Sequence, residues 1–120
     1  MRSKSKNPGF TLMELMIAVA ILVISITALL ASFINSYLLN QANNSMAIAA
    51  NDAQYVLEKL KNMTYDEITS YTDSDFSNLP DESIDVTVTE NGNVKEVIAD
   101  VSWTDRGIQK NFNITTRFAW

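Results

Sequence analysis

Two stretches of this chain carry residues arranged as chemistry would need them, and neither resembles an enzyme's active centre. The first is Pro8-Gly9-Phe10-Thr11-Leu12-Met13-Glu14, where a proline and a side-chain-free residue precede a long apolar run that contains a single acid. Pro8 and Gly9 do not continue a helix, so they leave an extended backbone that a protease can grip. Glu14 is a carboxylate inside an apolar stretch, and such a group is costly unless it is protonated or finds a cation. The second stretch is Asp73 to Ile84, DSDFSNLPDESI, whose Asp73, Asp75, Ser77 and Asp81 superficially follow a calcium loop. That pattern fails at its most specific positions, because Asn78 replaces the turn glycine and Ile84 stands where a bidentate Glu belongs. A solvated acidic loop is the better reading, and no metal is expected.

Composition narrows the chemistry further. The 120 residues contain no His and no Cys, which removes the commonest general base, the thiol nucleophile, the usual zinc ligands and any disulfide framework. No catalytic residue and no cofactor are expected. The net charge of −5 is unevenly spread: Arg2, Lys4 and Lys6 open the sequence with no acid, and 6 basic against 14 acidic residues follow. An acidic body repels phosphate backbones, so no nucleic-acid partner is expected.

The element that must position Glu14 is a membrane helix. Of the 21 residues from Phe10 to Leu30, 17 are apolar, and Glu14 carries the only formal charge. Ten Leu, Ile or Val between Leu15 and Ala31 favour insertion by roughly 3–6 kcal/mol, against a cost of about 2.5–3.5 kcal/mol for a mid-membrane acid. A helix from Phe10 to Ile34 spans about 37 Å, enough to cross a hydrocarbon core of ~30 Å. The basic start predicts a cytoplasmic leader with the acidic body outside. A secretory signal would end in a small-x-small cleavage site, yet Ile26 and Leu29 are bulky at the corresponding positions, whereas Gly9 lies before the apolar run.

The sequence KNPG, followed by FTLMEL and MIAVAILVI, resembles the class III signal of type IV pilins and type II secretion pseudopilins over about residues 1–35. The resemblance implies cleavage by a prepilin peptidase between Gly9 and Phe10, N-methylation of Phe10, and pairing of Glu14 with the N-terminus of a neighbouring subunit. It also implies other pilin subunits and an inner-membrane assembly platform as partners. Cleavage would turn the Phe10 amide nitrogen into an ammonium four residues from Glu14.

No Pro or Gly interrupts the chain between Gly9 and Pro80, so one helix is expected from Phe10 to about Asn62. Beyond Asn35 the apolar positions narrow to Leu39, Ala42, Met46, Ala49, Ala53, Val56, Leu60 and Met63, a heptad stripe. Leu39, Ala42, Met46 and Ala49 are expected to make helix contacts inside a filament, and Val56 to Met63 to seat the chain's own sheet. Residues 64–83 read as an acidic connecting loop, with seven acids and no base from Asp66 to Asp85. Tyr65, Tyr71, Phe76 and Leu79 are its candidate anchors.

The remainder alternates with period two. Ile84, Val86 and Val88 share the face of one strand, Val97, Ala99, Val101 and Trp103 that of a second, and Ile108, Phe112, Ile114, Phe118 and Trp120 complete a third strand, with turns at ENGN and TDRG and one oily face in common. The expected architecture is α+β: a long N-terminal helix, transmembrane in its first half and amphipathic in its second, on a three-stranded antiparallel sheet. The expected segments are leader 1–9, transmembrane helix 10–35, amphipathic helix 36–63, loop 64–83 and sheet 84–120. VSWTDRG and the strand after it resemble the C-terminal end of I-type pseudopilins and V-type minor pilins. The expected function is that of a structural prepilin-like subunit of a type IV pilus, a minor rather than a major one. The alternatives are a pseudopilin of a secretion or DNA-uptake system and a signal-anchored extracytoplasmic binding protein.

Overall fold

A computed structural model describes residues 9–120; the expected leader residues 1–8 lie outside the described residues. One α-helix, α1, runs Leu12–Lys61, followed by a 3₁₀ turn at Tyr65–Glu67 and four strands, β1 Tyr71–Asp73, β2 Ser83–Asn91, β3 Val94–Asp105 and β4 Ile108–Ala119. The absence of helix breakers over this stretch gives one uninterrupted 50-residue helix, as the sequence predicts. It begins at Leu12 rather than Phe10. The chain divides into two compact units, one ending at Asn40 and one covering Gln41–Trp120.

In the first unit every described residue is exposed except the half-buried Leu38. The helix here is apolar and long enough to cross a membrane. Ser25 and Thr27, which carry hydroxyls within the apolar run, are satisfied by the helix itself. Ser25 Oγ donates to the Ile21 carbonyl at 2.8 Å, and Thr27 Oγ1 donates to the Ile24 and Val23 carbonyls at 2.8 and 3.1 Å. Neither hydroxyl then needs water, which suits a segment passing through lipid.

The second unit is a helix segment packed on an antiparallel sheet of order β1-β2-β3-β4. The sheet has four strands where the sequence predicts three. The additional strand, β1, lies inside the expected connecting loop and pairs Tyr71 with Val86 and Asp73 with Ile84. Three residues are too few for an alternation to show, so β1 carries no periodic signal.

The two hairpins form at the expected turns, and their backbones explain the residues there. In β2–β3, Asn91 pairs with Val94 across Gly92-Asn93, with Gly92 at φ +66°, the placement of glycine in a type II′ turn. In β3–β4, Asp105 pairs with Ile108 across Arg106 and Gly107, at φ +51° and +77°; two left-handed central residues mark a type I′ turn.

The core consists of Ala49, Ala53, Val56 and Leu60 from α1 against Ile84, Val86, Val97, Ala99, Val101 and Trp103 from β2 and β3, with Ile68 and Leu79 from the connection. Each fully buried Val or Leu contributes about 1.5–3 kcal/mol. β4 is an outer strand, so its inward side chains have a strand neighbour on one side only. Phe112, Ile114 and Phe118 are half-buried there, while Ile108 and Trp120, expected on the same face, are exposed.

The connection is more ordered than an acidic loop. Lys95 projects from the inner face of β3, and its Nζ donates to the Tyr65 and Ile68 carbonyls at 2.7 and 3.1 Å while lying 4.4 Å from the Tyr65 ring centre. Phe76 meets Tyr55 of α1 edge-on at 6.1 Å. Thr64 N–H donates to Glu67 Oε2 at 3.0 Å, and this bond from the backbone holds the Glu67 carboxyl below its ordinary range.

Candidate processing and assembly site

The helix start is built by Thr11 and Glu14. Thr11 N–H donates to Glu14 Oε2 at 2.9 Å, Thr11 Oγ1 donates to the same oxygen at 3.0 Å, and Glu14 N–H donates to Thr11 Oγ1 at 3.2 Å. This reciprocal pairing is a capping box, which satisfies two of the donors a helix start leaves without partners. It also fixes where the helix begins, because the residue that closes the box from the N-terminal side stands outside the helix. The carboxylate lies at the positive end of the helix dipole.

Thr11 is absent from the expected site residues, although the spacing Thr-x-x-Glu before an apolar run is visible in the sequence. Its role alters the reading of Glu14. The carboxylate's need for a partner is met in part within the chain, through Oε2. Oε1 makes no hydrogen bond among the described residues.

Gly9 and Phe10 precede the helix and are exposed, Phe10 at 90%. A Cβ added to Gly9 meets nothing within 4 Å, and its φ is not in the left-handed region, whereas Gly92 and Gly107 both have positive φ. The fold therefore places no demand on glycine at position 9.

The four helix positions expected to contact neighbours divide. Leu39, Ala42 and Met46 are exposed, Leu39 at 64% and Met46 at 45%. Ala49 is wholly buried in the chain's own core. Its assignment to a helix–helix contact is corrected accordingly: the sheet's seat starts at Ala49, about two turns earlier than Val56. The alanines at 49 and 53 account for this, because small side chains allow the strands close to the helix.

The family model for the prokaryotic N-terminal methylation motif matches residues 4–30. No significantly similar curated protein and no significantly similar solved structure was found. The match covers Gly9, Phe10, the Thr11–Glu14 box and most of the apolar run, the region in which the helix is exposed. The chain therefore carries the N-terminal methylation signal of type IV pilins and pseudopilins, borne at the start of a membrane-anchoring helix that continues into an α+β unit.

Proposed function

We propose that this chain is a structural prepilin-like subunit, a minor pilin, which prepilin peptidase cleaves between Gly9 and Phe10 and methylates on Phe10. The observation that carries this reading is the methylation motif running directly into a half-helix whose apolar side chains have no cover from their own unit. Lipid covers such a surface before assembly, and the same half-helices of neighbouring subunits cover it afterwards. The basic residues before Gly9 favour a cytoplasmic leader with the sheet unit outside the inner membrane. The function is packing rather than catalysis.

The geometry supports a specific division of labour at the signal. Gly9 sits in open space, which fits a glycine read by an enzyme rather than required by the fold. Glu14 Oε2 is held by Thr11, so the carboxylate is oriented and Oε1 is left to accept from the Phe10 ammonium of a neighbour. Away from water that attraction is strong enough to set register. Leu39, Ala42 and Met46 extend the contact surface along α1.

Gly9→Leu should leave insertion intact, because hydrophobicity drives it, and should leave the leader attached. Intact mass of the membrane-extracted protein reads the outcome. A normal mature mass in this variant, or a native start elsewhere than Phe10, overturns the processing assignment. Glu14→Leu should be cleaved and inserted yet depleted from sheared filaments. Normal incorporation would refute the pairing while leaving cleavage standing. A chain recovered only with a secretion or DNA-uptake apparatus would move the assignment from pilus to pseudopilus.

A further inference from the structure

In the sheet unit, two acids are buried together, and among the described residues neither forms an ion pair. Asp52 lies on the core-facing side of α1 and is 5% exposed; Glu82, just before β2, is 7% exposed. Asn78 Nδ2 donates to both Asp52 oxygens, at 3.0 and 2.9 Å. Leu79 N–H donates to Glu82 Oε2 at 3.0 Å. Glu82 Oε1 is buried and accepts no hydrogen bond among the described residues, and Asp52 lies within its hydrogen-bonding reach.

Other charged groups do not relieve the pair. Among the described residues the two ion pairs are Arg106–Asp105 and Arg117–Glu96. Lys95, the buried cation, is committed to the Tyr65 and Ile68 carbonyls. From β3 the connection receives a backbone bond, Thr104 N–H to the Pro80 carbonyl at 2.9 Å. The groups acting on Glu82 are Asp52 from α1 and the Leu79 and Asn78 N–H groups of its own segment.

Two ionised carboxylates in this position would repel each other in a poorly solvated site. A proton on Glu82 resolves the arrangement: Oε1 becomes a donor, and Asp52 has lone pairs left to accept from it. We propose that Asp52 and Glu82 hold one proton between them at neutral pH, and that this shared proton latches residues 78–82 onto α1, loosening the sheet unit when the pair is fully ionised. Burial, followed by the hydrogen bond and charge of Asp52, pushes the Glu82 carboxyl above its ordinary range, against the lowering effect of the Leu79 and Asn78 N–H groups.

Linkage fixes the direction of the pH effect. A group whose folded-state pKa is raised contributes stability that is complete below its unfolded value and is lost as pH rises through the folded value. The full chain in detergent should therefore lose thermal stability as pH rises above the ordinary carboxylate range. Glu82→Gln, which keeps a donor at the same place, should flatten the profile and melt about 4–8 °C above the parent at the alkaline end. Glu67→Gln should leave the slope unchanged. Asp52→Asn removes the charge that holds the proton and should move the midpoint to lower pH. Independently, the infrared band of a protonated carboxyl at neutral pH should be lost in Glu82→Gln.

A parent profile that is flat over this range, or one that Glu82→Gln merely displaces in parallel, overturns the shared proton. So does a calcium-dependent rise in the parent's melting temperature that Glu82→Gln abolishes, since the pair would then be a metal site. Retention of the infrared band in Glu82→Gln overturns it as well. None of these measurements depends on cleavage or filament incorporation.

Discussion

From Leu12 to Asn40, α1 exposes its leucines, isoleucines and valines on all sides, the half-buried Leu38 excepted. From Gln41 to Lys61 the same continuous helix buries one stripe, Ala49, Ala53, Val56 and Leu60, and turns Gln54, Glu58, Lys59 and Lys61 to water. Both halves keep the backbone ladder satisfied, so the difference lies in how the side chains are solvated. An all-round apolar helix suits an isotropic surrounding such as lipid, whereas a stripe needs one partner in one direction. The second half finds that partner in β2 and β3. The first half has no such partner among the described residues of its own unit, which is why its surface carries the assembly proposal.

A charge placed in each part of the stripe tests this contrast most severely. Ala49→Glu puts a carboxylate into the core with no cation nearby, and the sheet unit should lose more than about 3 kcal/mol of stability. Denaturation in urea, followed through tryptophan fluorescence, reads this. Ala42→Glu, two turns earlier and exposed, should change stability by less than about 0.5 kcal/mol while reducing recovery in filaments. If Ala49→Glu melts normally, the sheet does not reach Ala49 and the core begins further along the helix.

Truncations give a smaller contrast. Leu60→Ala leaves a cavity beneath the sheet and should cost about 2–5 kcal/mol in the same denaturation experiment. Leu22→Ala should leave the sheet unit's unfolding midpoint in place and weaken insertion by only about 0.3–0.6 kcal/mol, a loss read by the fraction of chain extracted with alkali.

The smallest expected effect compares glycines. Gly107→Ala must hold an L side chain at φ +77°, which costs about 1–2 kcal/mol. Gly9→Ala meets open space and should leave the melting curve unchanged. Equal melting of the two variants would show that the β3–β4 turn relaxes to another type.

Much of the fold is legible along the chain because its signals are periodic or punctuated. The uninterrupted helix follows from seventy residues without Pro or Gly, and the three long strands follow from clean alternation closed by Gly-Asn and Arg-Gly turns. Thr11-x-x-Glu14 is equally legible as a capping box, but the apolar context of Glu14 points first to partners outside the chain. Lys95 occupies the same parity as Val97 and Val101, so alternation alone places it inward. What makes that position tolerable, two backbone carbonyls from the connection, has no local sequence signature.

The membrane-anchoring helix, the processing signal, the helix length and the succession of long strands are all written in the linear chain, because each depends on residues within a few turns of one another. Long-range packing was needed to settle that Ala49 is core, that Tyr71–Asp73 joins the sheet, that Trp120 stays exposed, and that Asp52 and Glu82 meet across 30 positions. The burial of Ala49 depends on how far along the helix the sheet's cover extends. That limit is set by how closely small alanine side chains let strands approach, and by which buried polar groups distant segments can satisfy.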